Sequence, residues 1–200
     1  MKKFVEEMGI TGHLTVVKAY NDGSEEVVYD DPNMIVSGMG VGLSYLFTAS
    51  GSDDITDYQI ESFQVGVGGD NVVVTDEINQ LDDPLNSLAE YGEGSNLFLD
   101  TREQIVNGTP IAGQIFAKIA PSRITRVTDS SVRYTLVLDE EAANGLTRNS
   151  VEAAINEVGL FMKNPTAHPD PRPILVAYRT FSDIVKTDDF SLVFRWTINF

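Results

Sequence analysis

The stretch that most restricts the fold is the last one, FSLVFRWTINF, Phe190–Phe200. Leu192, Phe194, Trp196, Ile198 and Phe200 alternate strictly with Val193, Arg195, Thr197 and Asn199. A period of two sends successive side chains to opposite faces of a strand, so the first set forms one large apolar face. Chain ends usually fray because little holds them. Burial of five such side chains contributes on the order of 10 kcal/mol before entropy is counted. The pattern predicts a structural strand, central in a sheet or packed against a second one. Phe181, Leu192, Phe194, Trp196, Ile198 and Phe200 are the predicted core.

Other segments carry the same signal. HLTVVKAY (13–20) and SEEVVYD (24–30) flank the turn residues Asn21–Gly23 and read as a hairpin. YQIESFQVGVGG (58–69) reads as a strand ending in a glycine pair, Gly68 and Gly69, that permits positive φ. RITRVTDSSVRYTLVLD (123–139) reads as a second hairpin, with Val132, Tyr134, Leu136 and Leu138 on one side. A strand is expected at 154–163, beyond it a rigid proline-rich loop, PTAHPDPRP (165–173), and then the strand ILVAYRTF. Between the first hairpin and residue 50, Asn33 is the expected cap of a helix with Met34, Ile35, Gly38, Val41, Tyr45 and Leu46 near one face. Gly38, Gly40 and Gly42 lack the spacing of a phosphate-binding loop and fit close helix–sheet packing instead. A short helical piece is expected around 85–91. The predicted class is mainly β, an antiparallel β-sandwich with one or two short helices. The predicted organisation is an N-terminal arm, 1–12, and one β-rich domain, 13–200, with a subdivision near 70–108.

Composition narrows the function classes. Thirty acids face fourteen bases, for a net charge of −16. A nucleic-acid binder would show a basic stripe, and a protein docking on anionic lipid would show a basic patch, so neither partner is expected. The chain has no cysteine, which removes disulfide and thiolate chemistry and suits a reducing compartment. After Lys2 and Lys3 no apolar run follows, so the start does not read as a secretory signal.

Reactive groupings are few in the sequence. His13 and His168 have no metal-ligand spacing, and GxSxG is absent. Adjacent carboxylates such as Asp82/Asp83 and Glu140/Glu141 read as acidic turns. Asp53, Asp54 and Asp57 in GSDDITD are the one candidate oxygen set for Ca²⁺, without the EF-hand pattern. Tyr45, Tyr58, Tyr91, Tyr178 and Trp196 are candidates for a sugar platform. No catalytic residue and no cofactor are expected.

Three stretches in order, DPNMIVSGMGVGLSYLF, IESFQVGVGGDN and INEVGLFMKN…ILVAYRTFSDIVKTDDFSLVFRWTINF, resemble a family of tailed-bacteriophage virion proteins described as tail, fibre, neck or structural components. The third is the most specific, because Glu157, Gly159, Phe161, Phe181, Lys186, Trp196 and Phe200 fit one ordered pattern. The resemblance departs at Tyr178 in the third stretch, where the pattern has arginine one place before Arg179, and at GVGG in the second, in place of GTG. The resemblance implies a non-enzymatic building block located in the virion after assembly in the host cytoplasm, with other virion proteins as partners and a symmetric homo-oligomer as its state. A capsid decoration protein and a host-glycan-binding module are the alternatives; a polysaccharide hydrolase fits least. Candidate interface residues are Phe4, Val5 and Met8 in the arm and Arg195 on the polar face of the last strand.

Overall fold

Asp22 shapes the first turn: its carboxylate accepts from the Ser24 N–H (2.8 Å) and hydroxyl (2.6 Å), while Gly23 takes φ 85°. The turn joins β1 (Thr11–Tyr20) to β2 (Glu25–Ile35). The computed structural model describes residues 9–91, 97–99, 104–106, 109–111, 114–165 and 172–200. Helix α1 (Ser37–Thr48) follows, then β3 (Ile60–Gly66), the one-turn α2 (Leu88–Tyr91), and the short strands β4 (Leu97–Leu99), β5 (Gln104–Val106), β6 (Thr109–Ile111) and β7 (Ile115–Lys118). The hairpin β8 (Ile124–Thr128) and β9 (Ser131–Leu138) and the two-residue strands β10 (Thr147–Arg148) and β11 (Val151–Glu152) precede three long strands: β12 (Ile155–Met162), β13 (Ile174–Ile184) and β14 (Phe190–Asn199).

Ten strands form one antiparallel sheet in the order β4-β7-β3-β12-β13-β2-β1-β14-β9-β8. β2 is the seam. Most of it pairs with β1, whereas Met34 and Ile35 pair with Tyr178 and Ala177 of β13. The sheet curls there until its halves face each other. Trp196 of β14 meets Phe63 of β3 with ring centroids 6.2 Å apart, and Phe194 meets Phe181 of β13 at 6.2 Å. The protein is therefore mainly β and sandwich-like, as its strand patterns predict.

β14 lies between β1 and β9: it pairs with β1 along its whole length, from Thr11↔Asn199 to Tyr20↔Phe190, and with β9 from Leu192↔Leu138 to Asn199↔Ser131. Leu192, Phe194, Trp196 and Ile198 are fully buried, and Phe181 is buried in the same core. Phe200 departs from the expectation at 50% exposed. It follows the last ladder pair, held by its N–H to Ser130 O at 2.8 Å, and stands at the open mouth of the sandwich.

Three further expectations need correction. The helix starts at Ser37, not at a cap on Asn33, because Met34 and Ile35 are used to bridge the two half-sheets. Its cap position is Val36, whose N–H bonds to Val176 O (3.1 Å). Gly68 has φ −96°, so the glycine pair serves close approach rather than left-handed backbone: a Cβ on Gly68 would sit 2.7 Å from Asp82 Cβ, and one on Gly69 2.4 Å from Asn156 O. β1 begins at Thr11, so the arm cannot extend to residue 12, and Phe4, Val5 and Met8 lie outside the described residues. The expectation for α1 holds at Gly38 and Gly42, where a Cβ would lie 2.0 Å from Leu175 O and 2.3 Å from Met162 Sδ.

Trp196 carries the contact between the halves, yet its indole N–H has no acceptor among the described residues. Trp196→Ala should lower stability by about 3–5 kcal/mol through the cavity it leaves. Trp196→Phe should cost clearly less, since it keeps a ring and removes an unmet donor. Urea unfolding of both variants checks this; equal losses would contradict it.

Candidate functional site

β12 reads Ile-Asn-Glu-Val-Gly-Leu-Phe-Met, and all eight residues are buried. Val158, Leu160 and Met162 enter the main core. Glu157, Gly159 and Phe161 alternate with them, and Phe161 packs in a second apolar cluster with Leu81, Phe116, Leu175 and Tyr178. A carboxylate in such a strand needs donors, because an unmet buried charge is costly. The excursion between β3 and α2 folds over this face and supplies them.

Glu157 Oε1 accepts from the backbone N–H groups of Asp83 (2.9 Å) and Gly68 (3.2 Å). Its Oε2 accepts from Asp82 N–H (3.1 Å) and from the Tyr178 hydroxyl (2.7 Å). Among the described residues no cation pairs with it; dipoles alone meet the charge. Burial raises the Tyr178 phenol far above its usual range, and donation to the Glu157 carboxylate raises it further, so the proton stays on the tyrosine. The glycines make this cradle possible: a Cβ on Gly66 would lie 2.4 Å from Glu157 Oε1, and one on Gly159 2.7 Å from Leu81 Cδ1. Next door, Asn156 accepts from Gly69 N–H (2.8 Å) and donates to Asp183 (3.0 Å).

Two further fastenings surround it. Arg148 reaches Asp83 (3.2 Å) and Glu90 (2.8 Å), tying the β10 turn to both ends of the Asp83–Glu90 segment. Burial pushes the Glu90 carboxyl up, but the Asn86 N–H, the Arg148 guanidinium and Ser87 outweigh it and hold it below its ordinary value. Lys186 is buried and donates to Thr187 O (2.7 Å), Asn144 Oδ1 (3.2 Å) and Glu140 O (3.4 Å), with its ammonium over the Phe190 ring. These side chains fasten loops to strands. Glu157 in particular has four donors around two oxygens and presents no open face to a substrate.

The other predicted site residues are dispersed. Asp53 accepts from Ser50 N–H and Tyr58, Asp54 caps the short helical turn Ile55–Tyr58 through Thr56 N–H, and Asp57 faces Lys163 at 3.8 Å. They do not converge, and among the described residues no group of three or more His, Asp or Glu is placed to hold a metal ion. Arg195 pairs within its own chain, with Glu25 across the outer sheet face at 3.1 Å. Trp196 is fully buried and offers no shelf to a sugar, and Tyr91 and Tyr178 are likewise interior. His13 bonds Asp30 at 2.8 Å, and His168 lies outside the described residues.

Among the described residues a groove of about 720 Å³ opens at the mouth of the sandwich. Met39, Leu43, Ile60, Tyr134 and Met162 line it, and Phe200 stands in its wall. Comparison of the chain with protein-family models, curated proteins and solved structures found no match.

Glu157→Ala should destabilise the protein by at least about 3 kcal/mol, since three N–H groups and a hydroxyl lose their acceptor. Hydrogen exchange should speed up at Gly68, Asp82 and Asp83 before it does in β14; unchanged protection there would refute the clamp. Glu90 gives a pH test. Its folded-state pKa is depressed, so its contribution is complete above the ordinary value of 4.5 and is lost as pH falls through the lower folded value. Glu90→Gln should cost about 1–2 kcal/mol at pH 7, and the gap in Tm to the parent should close toward pH 3. A constant gap would contradict the assignment.

Proposed function

We propose that this protein is a non-enzymatic structural subunit of a tailed-phage particle, at the tail, neck or baseplate, in a position to anchor fibres. The observation that carries this is what the residues of the resembling pattern do. Glu157 clamps a loop, Gly159 admits Leu81, Phe161 and Phe181 pack the two sides of the sheet, Lys186 fastens a turn, and Trp196 joins the halves. A pattern made of buried fastenings describes a framework rather than a reacting pocket. At the departure from the pattern, Tyr178 donates to Glu157 and keeps the clamp complete.

The partners in this reading are other virion proteins and further copies of the chain in a closed ring. A net charge of −16 keeps free subunits apart and soluble until specific contacts overcome the repulsion. Antibody labelling of whole particles, with the mass of the purified protein in solution, tests the proposal. Label on the tail or neck is expected. Label confined to the shell would make this a decoration protein, and absence from purified particles would overturn the reading.

A further inference from the structure

We propose that Asn144 is a self-modifying site: its side-chain amide is displaced by the backbone nitrogen of Gly145, with Lys186 as the catalytic residue, and the position matures to aspartate.

The turn after β9 holds these groups in place. Asp139 Oδ1 accepts from the N–H groups of Glu141 (3.2 Å) and Ala142 (3.0 Å), and Ala143 N–H donates to Glu90 O (2.6 Å). Ala142 and Ala143 are buried, whereas Asn144 and Gly145 are exposed. Ala143 and Gly145 both take φ 58°. Asn144 Nδ2 donates to Glu140 O (2.5 Å), and Oδ1 accepts from Lys186 Nζ (3.2 Å). A carbonyl cannot donate and an ammonium cannot accept, so these partners fix which way the amide faces. Gly145 has no side chain to shield its nitrogen. Its N–H meets no acceptor among the described residues, and a Cβ on it would meet nothing within 4 Å.

Hydroxide removes the Gly145 N–H proton, and the nitrogen attacks Asn144 Cγ. The new C–N bond closes a succinimide ring and drives negative charge onto Oδ1, where the Lys186 ammonium donates. The Cγ–Nδ2 bond then breaks, and Nδ2 takes a proton from water and leaves as ammonia. Water next adds to the same Cγ, whose oxygen Lys186 still polarises. The bond from Cγ to the Gly145 nitrogen breaks, the nitrogen recovers its proton and the backbone is restored. The sum is asparagine plus water giving aspartate plus ammonium. Opening at the other ring carbonyl gives isoaspartate, and Lys186 does not donate to that oxygen.

The product relieves a strain on Lys186. This lysine is 2% exposed, and its three acceptors, Glu140 O, Asn144 Oδ1 and Thr187 O, are all neutral. A buried cation without a carboxylate beside it is costly. Burial pulls its pKa down, although Asp139, Glu140 and Asp188 pull the other way. Aspartate at position 144 puts a carboxylate where the neutral amide stood.

The test is peptide mapping of freshly purified protein incubated folded and in guanidinium chloride. Loss of the amide at position 144 should be about tenfold or more faster in the folded state. Aspartate should be the main folded-state product, with a larger share of isoaspartate in denaturant. Asn149 is the internal control: it too is exposed with positive φ (52°), but among the described residues no cation donates to its amide. Its folded rate should not exceed its denatured rate. Lys186→Gln, with folding checked by near-UV circular dichroism, should abolish the acceleration at 144; the comparison within the parent protein decides the matter where that variant does not fold. A folded rate at 144 no faster than the denatured one, isoaspartate as the main folded-state product, equal acceleration at Asn149, or full acceleration in folded Lys186→Gln would each overturn the proposal.

Discussion

Everything in this fold depends on how β14 is held. It is flanked by β1 and β9, so its backbone is satisfied on both edges, and its apolar face meets β3 and β13 across the interior. A strand that were merely an edge would leave a row of unpaired N–H and C=O groups and little reason for a tryptophan. Because the two half-sheets belong to one curled sheet, joined among the described residues by the pairing of Met34 and Ile35 with β13, the shared core, with Trp196 against Phe63 and Phe194 against Phe181, is what keeps them face to face. The hydrophobic burial is large, but the ladder decides where it goes.

Against that apolar background, Glu157 is an exception with a clear logic. A buried carboxylate tolerates few alternatives, since each oxygen must be met by donors in fixed directions. That makes it a stringent registration device. The loop that covers β12 has one arrangement in which Gly68, Asp82 and Asp83 point their amides at the same two oxygens. The apolar residues Leu81 and Phe161 would tolerate a shifted loop; the carboxylate does not.

Much of the fold was legible in the sequence because it is written in side-chain periodicity. The alternation of Leu192–Phe200, the Asn21–Gly23 turn and the apolar side of Val132–Leu138 all translate directly into strands. What failed was local signal overruled by a distant partner. Asn33 looks like a helix cap, but Met34 and Ile35 are claimed by β13, and Phe200 continues the alternation past the point where the layers can cover it. The clamp was harder still, since Glu157 takes three of its four donors from main-chain amides, which carry no residue-type signature. The sign available was an acid in the middle of an otherwise apolar strand, INEVGLFM, next to glycines whose use is close approach rather than unusual φ.

The pairing of Thr11 with Asn199 also sets a timetable for the newborn polypeptide. β1 can find β2 almost at once, but its other edge stays open until β14 leaves the ribosome, a wait on the order of ten seconds or more at ordinary elongation rates. Contacts this distant along the chain make for slow folding. During that interval Leu14 and Val16 have no Trp196 or Phe194 beside them, so the nascent molecule must rely on its dense negative charge, or on a chaperone, to stay unaggregated until its final strand threads the gap.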